Sequence, residues 1–105
     1  MEPYTGPEGF GVGEKEKLLT KARNSSSNLT FDELCSLATC VGFEYTRTSG
    51  SHKLFKHPVH IHPLHGKRMN FQPSETEGKK AKSYQVEQLI EFIDYFKLDS
   101  QGGLS

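Results

Sequence analysis

Apolar residues return at helical spacing in two long stretches of this chain, and at every second position in the short stretches between them. Phe31, Leu34, Ala38 and Val41 follow the 3.6-residue period. They are introduced by Thr30-Phe31-Asp32-Glu33, a capping box in which the threonine hydroxyl and the glutamate carboxylate each accept a free amide of the first turn. Leu29 and Leu34 are placed for a hydrophobic staple, and Gly42 is a natural stop. Val86, Leu89, Ile90, Ile93 and Phe96 mark a second apolar stripe, and Ser83 is the expected N-cap before it. A shorter helix is expected over Glu14 to Arg23, with Leu18, Leu19 and Ala22 on one edge.

Between the two long helices the period changes to two. Phe43 to Thr48 alternates and is rich in β-formers, so it reads as a strand. A Ser49-Gly50 turn leads to a second strand from Ser51 to His57, closed by Pro58. Lys67 to Gln72 makes a third, with Met69 and Phe71 on one face and Arg68, Asn70 and Gln72 on the other. His57 to Gly66 reads as an irregular surface connection, and Pro73 to Lys82 as a polar loop. The pattern predicts an α+β domain whose helices pack on one face of a three-stranded antiparallel sheet. Phe43, Tyr45, Phe55 and Phe71 are expected to face the helices, and His52, Leu54 and Lys56 the other side.

Length leaves room for one core: the chain has 105 residues. Residues 1–13, with four glycines and two prolines, are expected to be a disordered leader, 14–98 the single domain, and 99–105 a disordered tail. No apolar run approaches the roughly 18 residues of a membrane span. The N-terminus lacks the basic-then-apolar order of a signal peptide. Cys35 and Cys40 would leave one helix in different directions, which argues against a disulfide and fits a reducing cytoplasm.

Net charge is zero, yet its distribution is uneven. From Arg47 to Lys82 there are eight Lys or Arg against Glu75 and Glu77, a local charge of +6 between acidic flanks. In that centre lies Thr48-Ser49-Gly50-Ser51-His52-Lys53-Leu54-Phe55-Lys56, a histidine just past a glycine turn with lysines close in sequence. Histidine moves protons at neutral pH, Gly50 and nearby amides permit close approach of a phosphate, and the lysines supply charge. Lys79, Lys80 and Lys82 precede a helix N-terminus, a further place for an anion. His57, His60, His62 and His65 raise a metal reading, but cysteine and acidic ligands are missing from that segment and the spacing fits no structural zinc pattern. There is no Gly-x-Ser-x-Gly, Walker or Rossmann motif, and 105 residues leave little room for a nucleotide cofactor site or a large pocket.

Leu29-Thr30-Phe31-Asp32-Glu33-Leu34, Val41-Gly42-Phe43 and Gly50-Ser51-His52-Lys53-Leu54-Phe55-Lys56-His57-Pro58 together resemble the HicA (YcfA-like) family of bacterial toxins. Met69-Asn70-Phe71-Gln72-Pro73 and Gly78-Lys79-Lys80-Ala81-Lys82-Ser83-Tyr84-Gln85-Val86 are similar to its Asn-x-Gln strand and Tyr-Gln-Val helix start. The resemblance spans roughly residues 29–98. It implies a double-stranded-RNA-binding-domain-like α-β-β-β-α fold and the toxin of a type II toxin–antitoxin system. That toxin would be a metal-independent endoribonuclease acting on mRNA in the cytoplasm and silenced by a HicB-type antitoxin. The family's catalytic histidine falls on His52 and its turn glycine on Gly50; no cofactor is implied. Lys53, Lys56, Lys67, Arg68, Lys79, Lys80 and Lys82 are the candidate RNA-binding residues. Lys53 stands where many members have a second histidine, and Ser83 where they have proline. A non-catalytic RNA-binding module of the same fold is the alternative, and a small metal-binding interaction protein a third reading.

Overall fold

The computed structural model describes residues 7–76 and 78–101. Helices α1 (Pro7–Asn24) and α2 (Phe31–Cys40) lead into strands β1 (Glu44–Ser49), β2 (His52–Lys56) and β3 (Arg68–Phe71), followed by α3 (Ser83–Phe96) and the single turn α4 (Leu98–Gln101). The strands form one antiparallel sheet in the order β1-β2-β3.

The α2 start follows from its sequence. Thr30 Oγ1 accepts from the Glu33 amide at 3.1 Å, and Glu33 Oε1 accepts from the Thr30 amide at 3.0 Å. Lys21 Nζ reaches Glu33 Oε2 at 2.8 Å, and that contact chiefly holds the Glu33 carboxyl below its usual range. Leu29 and Leu34 are both fully buried, as a staple requires. The helix stops at Val41, and Gly42 takes φ 105°. An added Cβ there would lie 2.9 Å from His57 Nε2, so glycine serves both the backbone and a close neighbour.

The core lies between the helices and one sheet face. Phe43, Phe55, Met69 and Phe71 contribute from the sheet side; Leu34, Leu37, Val86, Leu89, Phe92 and Ile93 contribute from α2 and α3. Tyr45 lies in the same cross-strand row as Phe55 and touches it edge-on at 5.8 Å, yet it is 54% exposed. β1 is an edge strand whose residues are all exposed, so the expected facing is right but the burial is not.

Four expectations change. Helix α1 begins at Pro7, not Glu14, so residues 7–13 are helical where a leader was expected; proline is well suited to a first helical position. Residues 1–6 lie outside the described residues. At the other end α4 replaces the start of the expected tail, with Leu98 buried and its carbonyl accepting from Lys15 Nζ at 3.0 Å; residues 102–105 lie outside the described residues. Lys82, not Ser83, occupies the N-cap of α3, without a side-chain cap bond. The hairpin loop is Gly50-Ser51, because Ser49 already pairs with His52.

The two connections are ordered by hydrogen bonds. Residues 79–81 are stitched to both sides: Phe31 N–H donates to Lys79 O at 2.7 Å, Ala81 N–H to Leu29 O at 3.0 Å, and Ser74 N–H to Lys80 O at 2.8 Å. The histidine-rich connection is built from two similar turns, His57-Pro58-Val59-His60 and His62-Pro63-Leu64-His65. In each, the first imidazole accepts at Nδ1 from the amides two and three residues on: Val59 and His60 at 3.2 and 3.1 Å, Leu64 and His65 at 3.0 and 3.1 Å.

Candidate functional site

Strand pairing sorts the candidate residues by face. On the side away from the helices, Ser49 stands opposite His52, Arg47 shares a cross-strand row with Leu54 and Asn70, and Glu44 shares one with Lys56 and Arg68. On the helix side, Tyr45, Phe55 and Met69 share a row, as do Thr48, Lys53 and Phe71. The register is shifted between Tyr45 and Arg47, and the extra residue, Thr46, bonds through its hydroxyl to Leu54 O at 3.0 Å. This bulge lets Tyr45 and Arg47 point to opposite faces although they are two residues apart, and puts the Arg47 charge on the open face.

His52 is at the hairpin end of β2, half-buried. Its Nδ1 is 2.8 Å from Asn70 Oδ1. A carboxamide oxygen accepts only, so Nδ1 is the donor in this bond, and in the neutral imidazole that leaves the lone pair on Nε2. Nε2 has no hydrogen-bond partner among the described residues. Gly50, at φ 62°, makes the two-residue turn possible, and no atom lies near where its Cβ would be. A shallow groove of about 570 Å³ runs along this face, lined by Thr46, Arg47, Leu54, Lys56, Arg68 and Asn70. It is bordered by three cations and, in the last row, by Glu44.

Of the seven basic residues singled out in sequence, Lys56 and Arg68 join His52 on the open face. Lys53 does not: alternation turns it to the helix side, where its Nζ lies 5.6 Å above the Phe31 ring. Lys67 is beyond the other end of β3, its carbonyl accepting from His57 N–H at 2.8 Å. Lys80 Nζ donates to Ser27 O at 3.0 Å, Lys82 Nζ is 4.0 Å from Glu75, and Lys79 is exposed in the stitched segment.

The four loop histidines are parts of the scaffold. His57 is buried, donates through Nε2 to Val41 O at 3.1 Å, and meets Phe43 edge-on at 4.9 Å. His60 stacks on Phe96 at 4.3 Å, and His62 on His65 at 4.7 Å. His65 Nε2 is 2.6 Å from Glu91 Oε1. Burial lowers the pKa of both His57 and His62 below that of free histidine, so each is held neutral as its acceptor role requires. No group of three or more His, Cys, Asp or Glu among the described residues is arranged to hold a metal ion. Cys35 and Cys40 are free thiols; burial pushes Cys35 up to about 11 and raises Cys40 as well, which keeps both protonated.

Sequence reasoning missed Asn70 as the partner of His52, Arg47 as part of the same face, and Gln85. The strand alternation already put Asn70 opposite Met69, but pairing it with His52 needed the β2–β3 register. No described helix is long and apolar enough to cross a membrane. No family model, no curated protein and no solved structure matches this chain.

Proposed function

We propose that the chain is a HicA-type toxin: a metal-independent endoribonuclease of double-stranded-RNA-binding-domain-like fold that cleaves mRNA in the cytoplasm and is held inactive by a HicB-type antitoxin. The observation that carries the reading is His52, with Nδ1–H given to Asn70 Oδ1 at 2.8 Å and a bare Nε2 on the cationic face. RNA brings its own nucleophile. Nε2 takes the proton of a 2′-OH, O2′ bonds to phosphorus, and the P–O5′ bond breaks to leave a 2′,3′-cyclic phosphate. The departing O5′ receives a proton from the imidazolium or from water. Arg47 in the next cross-strand row supplies positive charge toward the phosphorane, and Lys56 and Arg68, a row further along, hold the RNA backbone. The α1 helix is an addition ahead of the α-β-β-β-α unit.

A second reading, an RNA-binding module, is favoured by one observation. The three cross-strand rows of the open face hold one imidazole and one carboxylate, Glu44, which lies opposite Lys56. Induced expression, and incubation of purified protein with RNA in EDTA, separate the two. His52→Ala is expected to lose about 10²–10⁴-fold in cleavage and its toxicity while keeping RNA affinity. Cleavage by His52→Ala at the parental rate would remove the assignment. Binding without cleavage by every variant, parent included, would establish the module instead.

A further inference from the structure

The β3 strand is a sheet edge, so the outward backbone groups of its last residues need partners from elsewhere. Gln85, in the first turn of α3, supplies them. Its Nε2 donates to Asn70 O at 2.9 Å and its Oε1 accepts from Gln72 N–H at 3.1 Å. One carboxamide thus meets a carbonyl and an amide two residues apart, as a fourth strand would. A further Nε2 contact reaches the Tyr84 hydroxyl at 3.4 Å. The side chain is deeply buried, at 4% exposure, so losing it would leave two backbone groups unpaired beside the core.

This arrangement brackets Asn70. Phe71, fully buried, pins the strand from the helix side, and the Gln85 amide pins residues 70 and 72 from the edge. The Asn70 side chain must therefore leave on the open face, where its Oδ1 meets His52 Nδ1. Free histidine prefers the tautomer protonated at Nε2, which would put a donor where the proposed reaction needs a base. We infer that Gln85 is a positioning residue that, through Asn70, holds His52 in the Nδ1–H tautomer and keeps Nε2 ready to accept a proton. The catalytic consequence rests on the nuclease reading; the tautomer does not.

The experiment reads the imidazole ¹⁵N shifts of His52 above neutral pH, with backbone spectra to report the fold, and measures kcat and KM for RNA cleavage alongside. The parent is expected to show the Nδ1–H form. Asn70→Ala should move it to the Nε2–H form, and Asn70→Asp, which restores an acceptor, should bring it back. Gln85→Met, of similar length without hydrogen bonds, should give a folded protein with mixed tautomers and faster exchange of the Gln72 amide. In Asn70→Ala and Gln85→Met kcat should fall on the order of 10- to 100-fold with KM little changed, as for a misplaced base, and Asn70→Asp should recover it. If Gln85→Met does not fold, Gln85→Glu carries the test: it keeps an acceptor for Gln72 N–H, loses the donor to Asn70 O, and should shift the tautomer likewise. An Nε2–H tautomer in the parent overturns the inference, as does an unshifted tautomer in the folded Gln85 variant. Nδ1–H in the parent with no RNA cleaved removes the nuclease reading and leaves the positioning intact. Cleavage that needs His52 but is unchanged in Asn70→Ala, with its tautomer unmoved, removes the positioning alone.

Discussion

Replacing Gly42 by alanine tests how the histidine-rich connection is fastened to the rest of the domain. Gly42 takes φ 105°, a conformation that costs a residue with a Cβ roughly 1–3 kcal/mol. The new methyl would also lie 2.9 Å from His57 Nε2. His57 cannot simply recede, because its Nδ1 is tied to the amides of Val59 and His60 and its ring packs against Phe43 and Phe92. Moving it breaks the buried bond to Val41 O, worth about 1–3 kcal/mol once the carbonyl is left unpaired. The two costs together come to roughly 2–6 kcal/mol, a large part of the ~5–15 kcal/mol that holds a domain of this kind. With a urea slope of about 1.5 kcal/mol/M, the unfolding midpoint should drop by about 1.3–4 M. In a His57→Ala background the clash is gone and only the backbone part, roughly 1–3 kcal/mol, should remain. A midpoint within about 0.3 M of the parent would refute the reasoning, and equal losses in both backgrounds would show that the imidazole contact plays no part.

Two other outcomes are expected. Leu89→Asp places a carboxylate at a fully buried position of α3 and should abolish cooperative unfolding, read by circular dichroism and proton spectra; a folded, cooperative variant would contradict the helix-on-sheet core. Stability should fall as pH drops from about 7 toward 5, read by urea titration at each pH. His57 and His62 have folded pKa values below those of the unfolded chain, so the unfolded state takes up protons first and stability is complete only above the ordinary histidine range. Each contributes at most about 1.4 kcal/mol per pH unit. His60 and Glu44 face His57, and His65, Glu91 and Tyr95 face His62. Stability that is flat or rising over that interval would show that the two imidazoles are not held neutral.

Much of the architecture was legible because local and tertiary signals agree. The Thr30–Glu33 box, the Leu29–Leu34 staple and the stripe from Val86 to Ile93 each specify a helix end or face and are found where expected. The alternation that put His52, Leu54 and Lys56 opposite Phe55 also holds. Its consequence for Lys53 was overlooked: closeness in sequence to His52 means, in a strand, the opposite face. The extent of α1 was hidden because Pro7 and three glycines fall in its first turns, while its anchors, Leu18, Leu19, Ala22 and the Lys15 bond to Leu98, are tertiary. In the sequence Gln85 is marked only as part of a helix start. Its role depends on which strand ends beside it, and no local pattern carries that.

The histidines show why residue type alone did not find the site. The chain has five, and four fall in a nine-residue segment that looks like a ligand cluster. Their nitrogens separate them. His57 and His62 each use Nδ1 as an acceptor for two backbone amides, which demands a proton on Nε2 and spends the base inside the fold. His65 is engaged on both nitrogens, by Glu91 and by Gln88 at 3.3 Å, and His60 lies flat on Phe96. His52 has the reverse assignment: Nδ1 donates to a side chain, and the nitrogen left over has no partner among the described residues, on the sheet face that also carries Arg47, Lys56 and Arg68. A histidine that closes a turn and one that moves a proton are the same residue with opposite tautomers. Here the hydrogen-bond partner of Nδ1 tells them apart, a backbone amide in the scaffold and Asn70 Oδ1 at the proposed site.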